Sequence, residues 1–105
     1  MNSKLIGYVW FSGITNLGIV LCQDQITGEL KAWIAAVSGL DIQTDINMIK
    51  ANGSKFPILE AANIITNRGT IVIDKKEWAL VKLKILSKGK ENDKSSESST
   101  SSSPT

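Results

Sequence analysis

Two aspartates, Asp41 and Asp45, stand four residues apart in the segment DIQTDINMIKANGSKFP, residues 41–57. Side chains at this spacing lie on one face of a helix, so the pair could hold a metal ion or share acid–base work. No third oxygen-rich ligand cluster follows nearby in the sequence. Asp41 also stands where a helix would begin, and a carboxylate at that position accepts backbone N–H groups of the first turn. We therefore interpret Asp41 as a helix cap, expect Asp45 near solvent about a turn further on, and predict no metal site.

Histidine is absent from the 105 residues, and Cys22 is the only cysteine. The triads that use an imidazole base and the common zinc sites therefore lack a required side chain. Cys22 lies in the apolar run GIVLC, where a thiol is buried and unreactive. No glycine motif for phosphate or dinucleotide binding occurs. The sequence predicts a protein that is not an enzyme, with no catalytic residue and no cofactor; an enzyme using Asp41, Asp45 or Glu60 is the remaining alternative.

Any anionic ligand would need cations, and the sequence offers three candidates: Lys31, Lys55 and Arg68. Arg68 belongs to the predicted turn TNRG, and its guanidinium could bind a phosphate through two parallel hydrogen bonds. The alternative for Arg68 is simple solvation in a turn. The three residues together form the predicted anion-binding set.

The most basic stretch lies in and just before the last predicted strand, residues 77–86. Its lysines alternate with apolar residues, which is how an exposed edge strand avoids aggregation. The alternative is a nucleic-acid site in which lysines contact phosphates and Trp78 stacks on a base. A net charge of +2 is too small to favour that alternative.

An α+β fold is expected to position these side chains. Runs of β-forming residues between turn signals predict five strands, at residues 4–11, 16–22, 29–37, 70–74 and 77–86. The first three strands are joined by connections too short for parallel crossovers, so they should form an antiparallel meander. Two short helices follow the meander: the first stops at Asn52–Gly53, and the second opens at Pro57.

The composition changes near residue 88. Residues 1–87 are predicted to form a single domain, whereas residues 88–105 contain no apolar side chain that could anchor a core, and we expect a disordered Ser-rich tail. The longest wholly apolar run has six residues, at 32–37, which is too short for a transmembrane helix. The opening MNSKLIG lacks the pattern of a secretory signal. We therefore expect a cytoplasmic protein with no membrane partner.

Both faces of the first three predicted strands carry apolar side chains, although a sheet lying on a single core should alternate apolar and polar residues. Two short helices are expected to cover only one face. The other face would expose Tyr8, Trp10 and Trp33, and a contiguous apolar patch of that kind marks an interface or a ligand groove. The alternative is a sheet that curls into a small barrel or sandwich and covers itself.

The run from residue 27 to residue 57 carries a set of short elements: Thr27-Gly28-Glu29, Lys31-Ala32, Gly39, Asp41 and Lys55-Phe56-Pro57. This run resembles small uncharacterised proteins of phages and other mobile elements. The resemblance implies a viral or mobile-element origin and no catalytic residue. Small oligomeric viral proteins that sequester nucleotide immune signals are similar in size and α+β layout. Lys55 and Phe56 could accordingly contact a ligand, with Phe56 as a core residue as the alternative.

These observations predict a small, non-enzymatic binding protein that works as a homo-oligomer in the cytoplasm, or in the host cytoplasm if it is viral. It would occupy a protein partner or sequester a small ligand such as a nucleotide. Tyr8, Trp10 and Trp33 would supply the apolar contacts. The alternative function is single-stranded nucleic-acid binding through surface aromatic residues and lysines.

Overall fold

The structure, a computed structural model, describes the backbone of residues 3–96 and the side chains of residues 3–87. The elements in chain order are β1 Ser3–Phe11, β2 Leu17–Asp24, β3 Leu30–Ala36, α1 Ile42–Asn52, β4 Ser54–Phe56, α2 Ile58–Arg68, β5 Thr70–Ile71 and α3 Lys75–Ser96. They divide into two compact units, the first ending at Asp74 and the second beginning at Lys75. The predicted α+β class is confirmed.

A five-stranded antiparallel sheet forms the centre of the first unit, in the order β4-β3-β2-β1-β5. The predicted meander β1-β2-β3 is confirmed, with Tyr8 opposite Val20 and Val20 opposite Trp33. Both edges are short, because β4 has three residues and β5 has two. The sequence prediction missed β4, which fills the short link between the two helices.

A bulge in β1 changes which side chains share a face. The register shifts between Leu5, which pairs with Cys22, and Gly7, which pairs with Leu21. Leu5 therefore lies on the same face as Tyr8, although strict alternation would place it on the other.

The two short helices cover opposite faces of the sheet. On one face, Ile46 and Ile49 of α1 form a buried cluster with Val20 and Cys22. On the other face, a Cβ placed on Gly7 would lie only 2.9 Å from Cγ2 of Ile65 in α2. The expectation that both helices cover one face is wrong, and the apolar residues on both sides of the strands are explained by one helix per face.

The ends of α1 and α2 follow the local signals in the sequence. The Asp41 side chain caps α1 by accepting the Thr44 N–H at 3.2 Å and the Thr44 hydroxyl. These bonds hold the pKa of the Asp41 carboxyl below its usual value. At the other end, the Gly53 N–H donates to the Ile49 carbonyl at 2.7 Å. Pro57 precedes α2 as predicted.

The prediction of a strand at residues 77–86 is wrong, because this segment is part of α3. Trp78, Val81 and Ile85 recur at helical spacing, and Asp74 followed by Glu77 three residues later is a helix-start pattern. Over only ten residues, the alternation of lysines with apolar residues fits a strand as well as the helical spacing fits a helix. Helix formers such as alanine, leucine and glutamate favour the helix.

The neighbouring predictions also change at their boundaries. The strand predicted at residues 70–74 is reduced to β5, Thr70–Ile71. The predicted tail, residues 88–105, overlaps the last turns of α3, and its residues 97–105 lie outside the described part of the chain. Among residues 3–96, no helix has both the length and the apolar composition needed to cross a membrane.

Candidate ligand-binding cleft

A cleft of about 210 Å³ opens on the α1 face of the sheet. We call it the Trp33 cleft; its lining residues are Ser3, Cys22, Asp24, Glu29, Lys31, Trp33 and Lys50. The start of β1, the end of β2 and the start of β3 form its base, and Lys50 reaches it from the last turn of α1. All of these residues belong to the first unit, so a single chain supplies the whole cleft.

Cys22 contributes a neutral group to this lining. Its side chain is 1% exposed, and burial raises the pKa of the thiol to about 11, while the charge of Lys50 partly offsets that rise. The thiol is therefore protonated at neutral pH, and the thiolate, which is the nucleophilic form, is scarce. The prediction that Cys22 is buried is confirmed.

Trp33 supplies an aromatic surface whose position is held by the core. Its side chain is half-buried and packs against the cluster that contains Cys22 and Ile49. The part of the indole that lines the cleft is available to a planar partner. An aromatic ring held in this way can stack on a ligand with little loss of side-chain entropy.

Two lysines give the cleft its positive side. Lys31 is exposed on β3, two residues before Trp33, and Lys50 is half-buried. Because alternate residues of a strand share a face, Lys31 and Trp33 lie on the same face of the sheet. The cleft therefore combines an aromatic ring with two amines on one side and two carboxylates on the other, so the formal charges of its lining balance.

The acidic side of the cleft belongs to the β2–β3 hairpin, whose turn is closed by several hydrogen bonds. The Asp24 carboxylate accepts the N–H groups of Ile26 at 2.8 Å and Thr27 at 2.9 Å. These two bonds, that of Thr27 first, hold the pKa of the Asp24 carboxyl below its usual value. The turn closes through a Gly28 N–H bond to the Asp24 carbonyl, with Gly28 at φ 78°. Asp24 and Glu29 therefore present anionic oxygens that can accept amino or hydroxyl hydrogens of a ligand.

The sequence analysis placed Asp45 near solvent, and that placement is wrong. Asp45 is 3% exposed, and its carboxylate accepts the Ser38 hydroxyl at 2.9 Å, the Ser38 N–H at 3.3 Å and the Gly39 N–H at 2.9 Å. It fastens the β3–α1 connection to α1. Within the described residues, no three His, Cys, Asp or Glu side chains group closely enough to hold a metal ion.

Of the three aromatic residues predicted to form an apolar surface, only Trp33 lines this cleft. Tyr8 and Trp10 are half-buried and pack against the α1 cluster, with ring centroids 5.4 Å apart and planes inclined by 50°. The indole nitrogen of Trp10 is buried without a hydrogen-bond partner. Tyr8 and Trp10 thus form the margin of the core under α1.

Two of the three predicted anion-binding residues, Lys31 and Lys55, lie close together, whereas Arg68 lies apart. Lys31 lines the Trp33 cleft and also, with Trp33, Lys55 and Phe56, a neighbouring depression at the β3–β4 edge, where Lys55 pairs with Trp33 across the two strands. Arg68 lies in a third depression, with Phe11 and two asparagines of α2. The sequence analysis did not single out Lys50, although Lys50 follows directly after Ile49 of the buried helix face, which places it at the border of that face.

No known protein family, characterised protein or solved structure matches this chain. The function is therefore inferred from the geometry of the Trp33 cleft.

Proposed function

We propose that this protein binds a small, planar, anionic ligand of the nucleotide class in the Trp33 cleft, and that it acts by holding the ligand rather than by converting it. The observation that carries the proposal is the meeting of Trp33, Lys31 and Lys50 at one opening.

Each part of a nucleotide has a complementary group in the cleft. A base could stack on Trp33, and phosphate oxygens could accept hydrogen bonds from the amines of Lys31 and Lys50. Sugar hydroxyls and exocyclic amines could donate to Asp24 and Glu29. Ligand sites commonly measure about 300 to 1,000 Å³, so a cleft of about 210 Å³ can enclose only part of a nucleotide and has no room for a longer chain.

Three of the groups that could otherwise perform chemistry, Cys22, Asp41 and Asp45, are engaged in the fold. The Cys22 thiol is protonated at neutral pH, and Asp41 caps α1. The Asp45 carboxylate accepts three hydrogen bonds from the preceding connection. This use of the candidate nucleophile and carboxylates supports binding as the function.

The nucleic-acid alternative included residues 77–86 as a lysine-bearing strand, and these residues belong to α3. The Nζ atom of Lys82 lies 5.7 Å from the centroid of the Trp78 ring. That contact places a lysine of the same helix over the ring that was expected to stack on a base. The ligand proposal is therefore preferred.

Titration calorimetry with adenosine monophosphate tests the proposal. Separate titrations with adenosine and with inorganic phosphate measure the binding of the two parts of the nucleotide. We expect the intact nucleotide to bind more tightly than either part. A hydrogen bond to a charged group contributes about 1.5 to 3 kcal/mol, so Lys50→Met and Lys31→Met should each weaken binding about tenfold or more. Trp33→Leu, which keeps apolar bulk but removes the aromatic face, should also weaken binding.

Arg68→Met is the control, because Arg68 is also an exposed cation but lies in a separate depression beside Phe11. Equal affinities for wild type, Lys31→Met and Lys50→Met would reject the Trp33 cleft as the site. Titration with a thymidine oligonucleotide adds a second readout. Tight oligonucleotide binding that falls steeply with salt and is unchanged by Lys50→Met would favour the nucleic-acid alternative.

A further inference from the structure

Helix α3 carries a concentration of positive charge that the first unit lacks. Its 22 residues contain seven lysines and three acidic residues, a net charge of +4. Residues 1–74 contain five Lys or Arg residues and six acidic residues, a net charge of −1. Asymmetry of this kind within one chain indicates that the basic segment meets an anionic partner.

The same helix exposes a row of leucines. Leu80, Leu83 and Leu86 are 67%, 62% and 54% exposed and recur every three residues along one side of α3. At 100° per residue, Trp78, Val81 and Ile85 lie on the opposite side of the helix. We call the exposed row the leucine stripe.

Lysines border the leucine stripe on both sides. Lys75 and Lys82 lie beside it on one edge and Lys84 on the other, by the same helical geometry, and Lys76 lies on the line of the stripe one turn before Leu80. The Lys82 amine also contacts the Trp78 ring, 5.7 Å from its centroid. Lysine side chains can lay their methylene groups along an apolar surface while their amines reach outward to anions. Over residues 75–86 the exposed side of α3 therefore presents apolar and cationic groups together, the combination used by helices that lie at a membrane interface.

The chemistry of the helix discriminates among partners. A second copy of α3 would bring two strongly positive helices together, which is unfavourable. A nucleic acid would satisfy the lysines but leave the leucines in water. A lipid surface with anionic headgroups takes both, because acyl chains receive the leucines while headgroups pair with the lysines.

We propose that α3 docks on an anionic membrane surface, with its axis in the plane of the interface and the leucine stripe directed into the lipid. At about 1.5 Å per residue the leucine stripe, residues 80–86, extends for roughly 9 Å along the surface. The proposal departs from the sequence-based expectation of no membrane partner. It rests on α3 alone and is independent of the Trp33 cleft.

Vesicle flotation with the full chain tests this docking. We expect the protein to float with vesicles of phosphatidylcholine plus phosphatidylglycerol and to remain unbound with phosphatidylcholine alone. Raised salt should reduce the floated fraction, because headgroup attraction is screened. Leu83→Asp should reduce binding to the anionic vesicles about tenfold or more, since a leucine contributes about 1.5 to 3 kcal/mol on burial.

Leu59→Asp is the control, because Leu59 is 46% exposed on α2 and lies outside the leucine stripe. Circular dichroism of both variants verifies the fold, and both substituted side chains are exposed in the wild type. Failure to float with anionic vesicles would overturn the proposal, and so would equal flotation of Leu83→Asp and wild type. A change in mass in solution on Leu83→Asp, without any vesicle binding, would assign the leucine stripe to a protein contact instead.

Discussion

At the scale of single residues, Asp45 and Asp41 show how two similar side chains acquire different roles. Asp41 is exposed and caps its own helix. Asp45, one turn later, is buried and accepts three hydrogen bonds from Ser38 and Gly39. A buried carboxylate must be compensated by donors, and the β3–α1 connection supplies them. That connection therefore depends on one charge.

Replacing Asp45 with asparagine should destabilise the protein. The amide keeps the size of the side chain but has one acceptor oxygen, and its NH2 group would face donors. Hydrogen bonds to charged groups contribute about 1.5 to 3 kcal/mol, so the free energy of unfolding should fall by about that amount. Urea denaturation measures the change. Asp41→Asn is the control and should lower the free energy of unfolding by less, because Asp41 is exposed to water. Equal losses for the two variants would contradict the role of Asp45 in fastening the β3–α1 connection to α1.

At the scale of elements, the fold depends on a close approach between α1 and the sheet. Gly18 of β2 lies beneath the helix, and a Cβ built there would be 2.7 Å from Cζ3 of Trp10 and 2.8 Å from Cδ1 of Ile49. Real side chains do not approach so closely. The glycine is therefore what allows Trp10 and α1 to share this face of the sheet.

Gly18→Ala should lower stability in spite of its effect on the unfolded chain. Replacing glycine by alanine within a strand raises the free energy of unfolding by about 0.5 to 1 kcal/mol. Overpacking a core lowers it by about 1 to 3 kcal/mol, so the free energy of unfolding should fall overall. Thermal or urea unfolding measures the difference. Gly13→Ala is the matched control, since its nearest neighbour would lie 3.8 Å away. Equal free energies of unfolding for Gly18→Ala and Gly13→Ala would show that Trp10 and α1 leave room for a methyl group at residue 18.

At the scale of the whole molecule, two connections meet at one end of the sheet. The Val37 N–H of the β3–α1 connection donates to the Asn16 carbonyl of the β1–β2 hairpin at 3.0 Å. These two connections and the residues that follow them carry four exposed apolar side chains, which we call the loop edge: Ile14, Leu17, Leu40 and Ile42. Apolar patches of this kind mark interaction sites.

The homo-oligomer predicted from the sequence should form through the loop edge. Asp41 is the only charged residue in residues 12–17 and 38–42, so two copies would meet without strong repulsion. We expect light scattering to give a mass above that of one chain, and Leu40→Lys to lower it. Ile26→Lys is the control, because Ile26 is 76% exposed on the β2–β3 hairpin. A wild type that remains monomeric at high concentration would end the homo-oligomer hypothesis.

Much of the first unit could be predicted from the sequence, because the signals concerned are local. Strand propensity and short turns predicted the meander. A carboxylate and a glycine predicted the two ends of α1, and Pro57 predicted the start of α2. An apolar run predicted the burial of Cys22. Each of these features depends on residues within a few positions of one another, where backbone hydrogen bonds and side-chain spacing decide the outcome.

Only the tertiary structure decided which face each helix covers and which side chains meet. Residues 77–86 fit a period of two and a helical period equally well, and the outcome was α3. Lys31 and Lys50 are 19 positions apart, and they share a cleft because α1 crosses back over the strand that carries Trp33. The physical reason is that packing joins residues distant in the chain, and local propensity does not specify which apolar faces will pair.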